Sequence, residues 1–586
     1  MRILNKLSVC ASVVMITTVA FFVVISPRAS AGTPVGGYID SDTAWGIEGS
    51  PYWVEKDVIV RNGSNLTIEV GVDVLFNGYY SIYVEEGGVL WVERTAPHRP
   101  YALFSWNLDY GGPYPGRWRS IQFNDSSYDT SSIEESVIEY AYYGIRLESA
   151  SPTIKNSTIR SCTYGIYSNY GCPNIENNII EKCIEDGIYI EGIDPGGGYA
   201  NLENNTVQEN TKHGIVLYDV SGVRFRNNNI AGSNYNFGVW ADTLSEFNHD
   251  IDTTNTVNQQ PIYYWRNHEH DGETIPSDAG YVGIVNSAYI TVENLTLTHN
   301  GQGVLVAYSD YTSIDNVTAS DNELGIILFS SSNNIIENSI ISNNDYLGYY
   351  YPYIGSGIYL RSSSNNNIIN STVYSNNLNG IYLLFSNDNK LLNNTIMDNS
   401  YGAYLENSSY NLVDNNNVSD NSIDGIYLDG TEGSHYNIIS NNTVNSNTHN
   451  GIKLWLSKNS EIKNNSLVEN QCGIYLLGGT NNVISTNTLT SNQNKGIHLQ
   501  SNYNDVNNNT ISYSEYGIYV RGNNNNISFN SISNCDTGIY IWMTYQYNIV
   551  NNNNVSYNVY GITVEGGLAN TIKDNIYNHG SILDKN

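Results

Sequence analysis

The sequence predicts an all-β protein, folded as a right-handed, single-stranded parallel β-helix of about 20 coils. A Gly followed by an aliphatic residue returns every 20 to 24 residues over most of the chain between Gly144 and Gly561. Each period holds two or three short segments of alternating apolar and polar residues, separated by clusters of Asn and Ser. Such alternation is typical of half-buried strands, and Asn and Ser tolerate the tight turns between them.

The residues of one coil can be assigned to the core or to the surface. In the coil that begins at Gly425, strand alternation places Ile426 and Leu428 in the core and Tyr427 on the outside. The Asn residues that precede each turn are expected to stack from coil to coil as amide ladders. Their side chains would then supply hydrogen-bond partners for the backbone of the turns.

The N-terminal residues 1–31 are predicted to be a signal peptide. Arg2 and Lys6 precede an apolar run at residues 7–25, and residues 29–31 (Ala-Ser-Ala) fit a cleavage site. The run is also long enough for an uncleaved membrane anchor, which is the alternative. The predicted location is therefore secreted, at the cell surface or in a periplasm-like space, with membrane contact only through that segment.

The rest of the chain divides into a region without the short period and a region with regular coils. Residues 32–135 alternate like strands but lack the short period, and we predict an N-terminal β cap and the first coils there. Residues 136–580 carry the regular coils. Two stretches, near 250–280 and near 345–356, break the period and are predicted to be insertions.

The composition favours an exported protein that does not bind nucleic acid. The formal net charge of −31 at pH 7 opposes binding to a polyanion. About sixteen Asn-x-Ser/Thr sequences would accept glycans in an exported chain, which would make it a glycoprotein, although those at the turns lie beside the predicted ladder and are expected to be less accessible. Cys162 and Cys183 hold nearly the same phase of adjacent coils, so an inter-coil disulfide and two buried thiols both remain open.

Two sequence features resemble a known family. They are the repeat Asn-Asn-x-Ile…Asn-Thr-Ile…Gly-Ile-Tyr-Leu and the segment 255–265 (Asn-Thr-Val-Asn-Gln-Gln-Pro-Ile-Tyr-Tyr-Trp), which continues into Ile-Pro-Ser-Asp-Ala-Gly. Both resemble the NosD-like right-handed β-helix family, named after a periplasmic copper-binding accessory protein. The repeat is also similar to that of carbohydrate-binding proteins, sugar hydrolases and archaeal cell-surface proteins. The resemblance implies the fold and leaves the chemistry open, because one rod hosts unrelated activities.

Copper handling is one hypothesis that the resemblance raises. His268 and His270 would share one face of a strand, with Asp271 and Glu273 beside them, and they are the candidate metal ligands. A solvated polar loop is the alternative, because the chain has only 4 Met and offers no soft ligand nearby. We therefore predict no cofactor, since neither Ca²⁺ nor Cu has support from the residues.

A polysaccharide lyase or glycoside hydrolase is a second hypothesis. Glu406 and Asp429 occupy equivalent outward positions of adjacent coils, with Arg361 two coils before Glu406. Coils stacked at about 4.8 Å would bring the two carboxylates near the separation of a retaining glycosidase pair. Chance placement of acids along many coils is the alternative.

A non-catalytic binding surface is the third hypothesis, and more residues support it than support the other two. An outward Tyr follows the Gly-aliphatic pair in four successive coils, namely Tyr359, Tyr382, Tyr404 and Tyr427. With Tyr349 and Tyr351 of the second insertion, these rings would form an exposed platform for a polysaccharide or another cell-envelope component. A structural stripe of good strand formers is the alternative. The sequence thus favours an exported surface protein that binds carbohydrate over an enzyme or a copper-handling protein.

Overall fold

The structure is a computed structural model that describes residues 32–93, 101–124, 130–192, 197–268, 272–345, 355–566, 569–577 and 582–584. The predicted signal peptide lies outside these residues, as do His270, Tyr349 and Tyr351. No helix in the described ranges is long and apolar enough to cross a membrane. The helical pieces in the same ranges are the 3₁₀ turns Ile47–Gly49 and Leu108–Tyr110 and the short α-helix Leu244–Phe247.

Short strands pair in parallel from coil to coil and form a right-handed β-solenoid of about 23 turns. This confirms the predicted all-β class and the parallel β-helix. The strands line three long faces, which we call faces A, B and C in the order in which the chain meets them after the coil Gly. A cap over the first coil remains a prediction.

The strands of the three faces have the following bounds. Face A contains Thr33–Ile39, Tyr52–Val60, Ser81–Val84, Trp118–Asn124, Ala141–Glu148, Tyr164–Asn169, Ile188–Glu191, His213–Tyr218, Tyr235–Trp240, Gln260–Arg266, Tyr281–Val285, Gln302–Ala307, Leu324–Phe329, Ile358–Arg361, Asn379–Leu384, Tyr401–Glu406, Ile426–Asp429, Asn450–Trp455, Cys472–Leu477, Lys495–Gln500, Tyr516–Val520, Thr537–Ile541, Tyr560–Val564 and Ile582–Asp584. Face B contains Thr43–Trp45, Asn65–Glu69, Val89–Glu93, Ser132–Glu134, Thr153–Lys155, Asn174–Glu176, Asn201–Glu203, Arg224–Arg226, Asp250–Ile251, Glu273–Thr274, Ile290–Glu293, Ser313–Asp315, Ile335–Glu337, Asn367–Ile369, Lys390–Leu392, Leu412–Asp414, Ile438–Ser440, Glu461–Lys463, Val483–Ser485, Asp505–Asn507, Asn526–Ser528, Ile549–Asn551 and Thr571–Lys573. Face C contains Asp73–Phe76, Ala102–Trp106, Ser136–Glu139, Thr158–Arg160, Ile179–Glu181, Thr206–Gln208, Asn229–Ala231, Thr256–Val257, Thr296–Thr298, Thr318–Ser320, Ile340–Ser342, Thr372–Tyr374, Thr395–Met397, Asn417–Ser419, Thr443–Asn445, Ser466–Val468, Thr488–Thr490, Thr510–Ser512, Ser531–Ser533 and Asn554–Ser556.

The core is filled by the inward aliphatic residues of the three faces. In the coil of Gly425, Ile426 and Leu428 are fully buried and pair in register with the same positions of the next coil. Only Gly fits at the first position of the coil, because a Cβ on Gly425 would lie 2.7 Å from the backbone oxygen of Gly451. The repeated Gly therefore stands at a point of the coil where a side chain has no room.

Asparagine ladders run along the corners between the faces, as the sequence predicts. At the corner between faces B and C, Oδ1 of Asn394 accepts the backbone N–H of Ser371 in the preceding coil at 2.9 Å. Its Nδ2 donates to the Ile368 carbonyl at 2.9 Å and to Oδ1 of Asn416 in the next coil at 3.0 Å. Residues that accept a backbone N–H in this way at the same corner are Asn178, Asn205, Asn228, Asn255, Asn394, Asn416, Asn442, Asn465, Asn487, Asn509, Asn530, Asn553 and Asn575.

The two cysteines of adjacent coils are buried thiols. Cys162 and Cys183 are both free and fully buried. Burial raises the pKa of each thiol, that of Cys183 to about 12. Of the two arrangements that the sequence leaves open, the structure therefore contains the thiols and not the disulfide.

The solenoid is built as two stacks of coils, residues 33–257 and residues 260–584. The last coil of the first stack packs on the outer side of face A in the second. The backbone N–H of Gly301 donates to the Phe237 carbonyl at 2.9 Å, and the ring centroids of Phe247 and Phe329 lie 5.3 Å apart. Outward side chains of the second stack, such as Ile327, therefore belong to the core cluster of the first.

A buried histidine joins the two stacks. Nδ1 of His213 lies 2.6 Å from Oδ1 of Asp186 in the first stack, and its Nε2 lies 3.0 Å from Oε2 of Glu323 in the second. All three side chains are buried. Burial alone would lower the pKa of His213, but the two carboxylates outweigh burial and raise the pKa to about 9. The protonated imidazole thus offsets carboxylate charge inside the junction.

The junction should weaken at alkaline pH. The folded pKa of His213 is about 9, above its ordinary value of about 6.5. Its contribution to stability is therefore complete below about pH 6.5 and is lost as the pH rises through about 9. Thermal unfolding between about pH 6 and pH 10 should show this loss in the wild-type chain and not in His213→Gln, which should be less stable at neutral pH. The same pH profile for both proteins would contradict the assignment.

Candidate functional site

Face A of the second stack carries the predicted tyrosine row, and the register agrees with the prediction. Tyr359, Tyr382, Tyr404 and Tyr427 are register partners in four successive coils. Successive rings stack with centroids 5.1, 5.0 and 4.8 Å apart and interplanar angles of 21°, 11° and 6°. The row is a continuous column of rings, which we call the tyrosine ladder.

The expectation that these rings form an exposed platform is wrong. Tyr359, Tyr382 and Tyr427 are 0 %, 5 % and 4 % exposed, and Tyr404 is half-buried. The coil spacing of about 4.8 Å is close to the distance between stacked rings, so each ring covers the face of the next. Tyr359 is also part of the core cluster of the first stack. A sugar ring therefore has no free ring face to stack on within this column.

Three phenol hydroxyls of the ladder donate hydrogen bonds within the protein. Tyr382 donates to Oε2 of Glu406, and Tyr404 and Tyr427 donate to Oδ2 of Asp429 at 3.4 and 3.3 Å. Burial, together with the adjacent carboxylates, raises the pKa of each of these three phenols well above its ordinary value. The phenols therefore remain neutral hydrogen-bond donors.

The same contact joins coils elsewhere on face A. Tyr167 donates to Glu191 at 3.0 Å, and Tyr475 donates to Gln500 at 2.9 Å. In each case the acceptor stands four residues after the Gly of the next coil. Where this position holds an acceptor, as Glu191, Glu406 and Gln500 do, a phenol hydroxyl of the preceding coil ties the two coils together.

The structure brings the two candidate acids together and holds the candidate arginine elsewhere. Glu406 and Asp429 are register partners on adjacent strands, as predicted. Asp429 also accepts the backbone N–H and the hydroxyl of Thr431 at 3.0 and 2.6 Å. Arg361 stands two coils before Glu406 in register, but it donates to Asp242 of the first stack at 2.6 Å.

A lysine ends the tyrosine ladder. Nζ of Lys453 lies 4.2 Å from the ring centroid of Tyr427 and 5.7 Å from that of Trp455. It also lies 3.6 Å from Oδ2 of Asp424, whose side chain is buried. The ammonium group is therefore shared between aromatic rings and a buried carboxylate.

An exposed aromatic ring lies next to the two acids. Trp455, the register partner of Asp429, is 41 % exposed, and Phe385 at the adjoining corner is 48 % exposed. Glu406, Asp429 and Trp455 hold equivalent positions in three successive coils, and we call them the acidic–aromatic row. The sequence predictions gave no role to Phe385 and placed Trp455 only among the aromatic residues near the outward tyrosine positions. Trp455 stands four residues after Gly451, at the position of the two acids, and this spacing is the signal that assigns it to the row.

The candidate metal ligand His268 is engaged within the protein. Its Nδ1 lies 2.7 Å from Oε2 of Glu273, and its ring stacks on Trp265 with centroids 5.0 Å apart. His270 and Asp271 lie outside the described residues. Among the residues that the structure covers, no three His, Cys, Asp or Glu side chains are grouped to hold a metal ion.

Comparison with protein families gives one match that covers most of the chain. A model described as a right-handed β-helix region matches residues 117–256, 266–353, 351–489 and 479–582. No curated protein sequence matches the chain.

Solved structures similar to this chain include three different proteins. A DFA-IIIase from Arthrobacter chlorophenolicus, in complex with DFA-III, has 12 % identity and a TM-score of 0.34, over 51 % of this chain and 86 % of that one. The Dettilon tailspike protein has 15 % identity and a TM-score of 0.29, over 54 % and 61 %. The periplasmic alginate epimerase AlgG, as a double mutant, has 12 % identity and a TM-score of 0.28, over 72 % and 78 %. At these identities and TM-scores, the matches carry no argument about the function of this chain.

Removing one ladder hydroxyl should destabilise the solenoid. Tyr382→Phe keeps the stacked ring and takes away the donor to Glu406, so the free energy of unfolding should fall by about 1–3 kcal/mol. Tyr410→Phe is the matched control, because that ring is 58 % exposed and its variant should change stability by less than about 0.5 kcal/mol. Denaturant unfolding measures both, and equal losses would argue against the phenol contact between coils.

Proposed function

The chain belongs to the right-handed β-helix family, and on that premise we propose that it is an exported, non-catalytic surface protein that binds a polysaccharide or cell-envelope polymer along face A of the second stack. The observation that carries the proposal is the acidic–aromatic row. Trp455 offers a ring that is 41 % exposed, beside two carboxylates in register with it. An aromatic face suits the apolar face of a sugar, and carboxylate oxygens accept hydrogen bonds from its hydroxyls.

The repeat suits an extended ligand better than a small one. The row advances by one coil, about 4.8 Å, at each step along the rod. A polymer laid along the rod would meet Trp455, Asp429 and Glu406 in turn, with Phe385 at its edge. Each contact is weak, but linked contacts raise the effective concentration of the next one. The tyrosine ladder lies beside this row on the same outer side of face A, with Tyr404 as its most accessible ring.

The contacts of the two acids favour binding over catalysis. Their separation across adjacent strands, about 4.8 Å, is near the 5–5.5 Å of a retaining glycosidase pair. Such a pair needs one carboxyl group that gives a proton to the leaving group. Glu406 and Asp429 instead accept hydrogen bonds from Tyr382, Tyr404 and Tyr427. A lyase or hydrolase therefore remains the alternative that the assay below must exclude.

Export is part of the proposal and has its support in the sequence. Residues 1–31 combine basic residues, an apolar run and a small-x-small site. The Asn-x-Ser/Thr sequences and the formal net charge of −31 suit a protein outside the cytoplasm. Copper handling through His268 and His270 is not part of the proposal, because His268 is paired with Glu273.

Trp455→Ala should abolish most of the binding to a polysaccharide. Affinity electrophoresis against neutral, acidic and amino-sugar polysaccharides would first identify a ligand. The variant should then bind it at least tenfold more weakly, a loss of about 1.4 kcal/mol. Phe529→Ala removes a ring that is 59 % exposed at the corner between faces B and C, and it should bind normally.

The same samples test catalysis. New reducing ends or unsaturated products that disappear in Glu406→Gln and in Asp429→Asn would contradict a non-catalytic function. Unchanged affinity in Trp455→Ala would remove the acidic–aromatic row as the binding site. Both assays use the full chain.

A further inference from the structure

A set of Asn-x-Ser/Thr sequences falls on a single corner of the coil. In these sequences the Asn is the first residue after a face B strand, and one residue separates it from the face C strand that follows. We call this set the sequon column, and its members are Asn156, Asn204, Asn294, Asn316, Asn370, Asn393, Asn441, Asn464 and Asn508.

Every member of the sequon column is exposed and has the same backbone conformation. Their φ angles lie between 51° and 57°, in the left-handed region that Asn tolerates better than most residues. The residue that follows each of them is buried, as Asn394 follows Asn393. The ladder therefore uses the second residue of the corner and leaves the first in solvent. This corrects the expectation that the acceptors beside the ladder are less accessible.

The column lies on the one corner that face A does not border. The chain passes from face A to face B, turns at the column to face C, and returns to face A, as Asn379–Leu384, Lys390–Leu392, Thr395–Met397 and Tyr401–Glu406 show. Anything attached to the column therefore projects away from the acidic–aromatic row.

We propose that the sequon column carries N-linked glycans, which cover the corner between faces B and C and leave face A open. The proposal rests on export, which is part of the proposed function. In the transfer, the Asn Nδ2 bonds to the anomeric carbon of a lipid-linked oligosaccharide pyrophosphate. The anomeric C–O bond to the pyrophosphate breaks, the lipid pyrophosphate leaves, and the amide loses one proton. A glycosyltransferase of the export pathway supplies the catalysis.

Neighbouring acceptors in the column exclude one another. Three pairs stand in consecutive coils, namely Asn294 and Asn316, Asn370 and Asn393, and Asn441 and Asn464. Consecutive coils are about 4.8 Å apart, and Nδ2 of Asn316 lies 2.8 Å from Oδ1 of Asn294. Two branched glycans on one pair would occupy the same space, so each pair holds no more than one glycan.

Site mapping on the full chain, secreted from a cell line that performs N-glycosylation, tests the proposal. An amidase in ¹⁸O water converts each modified Asn to labelled Asp, and mass spectrometry then gives the occupancy of each site. Column sites should be modified, and the occupancies within a pair should sum to no more than one glycan per molecule. Asn393→Asp should raise the occupancy of Asn370, whereas Asn338→Asp, its other neighbour but not a sequon, should leave it unchanged.

The outcomes separate this proposal from the proposed function. If the chain is secreted and its sequon column is unmodified, the proposal that the column carries glycans is overturned, whether or not off-column acceptors such as Asn407 carry glycans. A molecule with one glycan on each member of a pair overturns the claim that neighbouring acceptors exclude one another. Polysaccharide binding that is unchanged after glycan removal supports an open face A, and binding that depends on the glycans overturns it. A chain that never reaches the medium overturns both proposals, and a glycosylated chain that binds no polysaccharide overturns the proposed function alone.

Discussion

The rest of the structure depends on the hydrogen bonding of backbone amides at the corners of the coil. Strand pairing satisfies the amides of the three faces, but at each corner the chain turns and its buried N–H groups need another acceptor. Buried Asn side chains supply it, as Asn394 does for Ser371. Each such group left without a partner would cost about 1–3 kcal/mol. Because Asn394 also contacts Asn416 of the next coil, the ladder fixes the coils in register while it satisfies them.

Register then decides what the outer surface can do. Equivalent residues of successive coils stand about 4.8 Å apart, which is a stacking distance for aromatic rings. Tyr382 and Tyr404 consequently cover each other's faces and stabilise the rod instead of presenting a platform. The same spacing sets Glu406 beside Asp429 and leaves Trp455, at the end of the row, as the exposed ring.

The features of the fold that are local and periodic could be predicted from the sequence. The Gly period, the inward Ile426 and Leu428 and the amide ladders follow from alternation and from the needs of the turns. The burial of Tyr359 could not be predicted in the same way, because it depends on the end of the first stack packing against the second. The ion pair of Arg361 with Asp242 joins residues 119 positions apart across that junction, and no repeat encodes it. The exposure of Phe385 likewise depends on how the corner folds.

The amide ladder is tested most directly by the free energy of unfolding of two adjacent variants. Asn394→Asp places a carboxylate against the Ile368 carbonyl and Oδ1 of Asn416, both of which now accept hydrogen bonds from the Asn394 amide. Asn393→Asp makes the same chemical change one residue earlier, at an exposed position. The ladder predicts a loss of about 3–5 kcal/mol for Asn394→Asp and less than about 0.5 kcal/mol for Asn393→Asp. Similar small changes in both variants would contradict the ladder as the interaction that holds the coils in register.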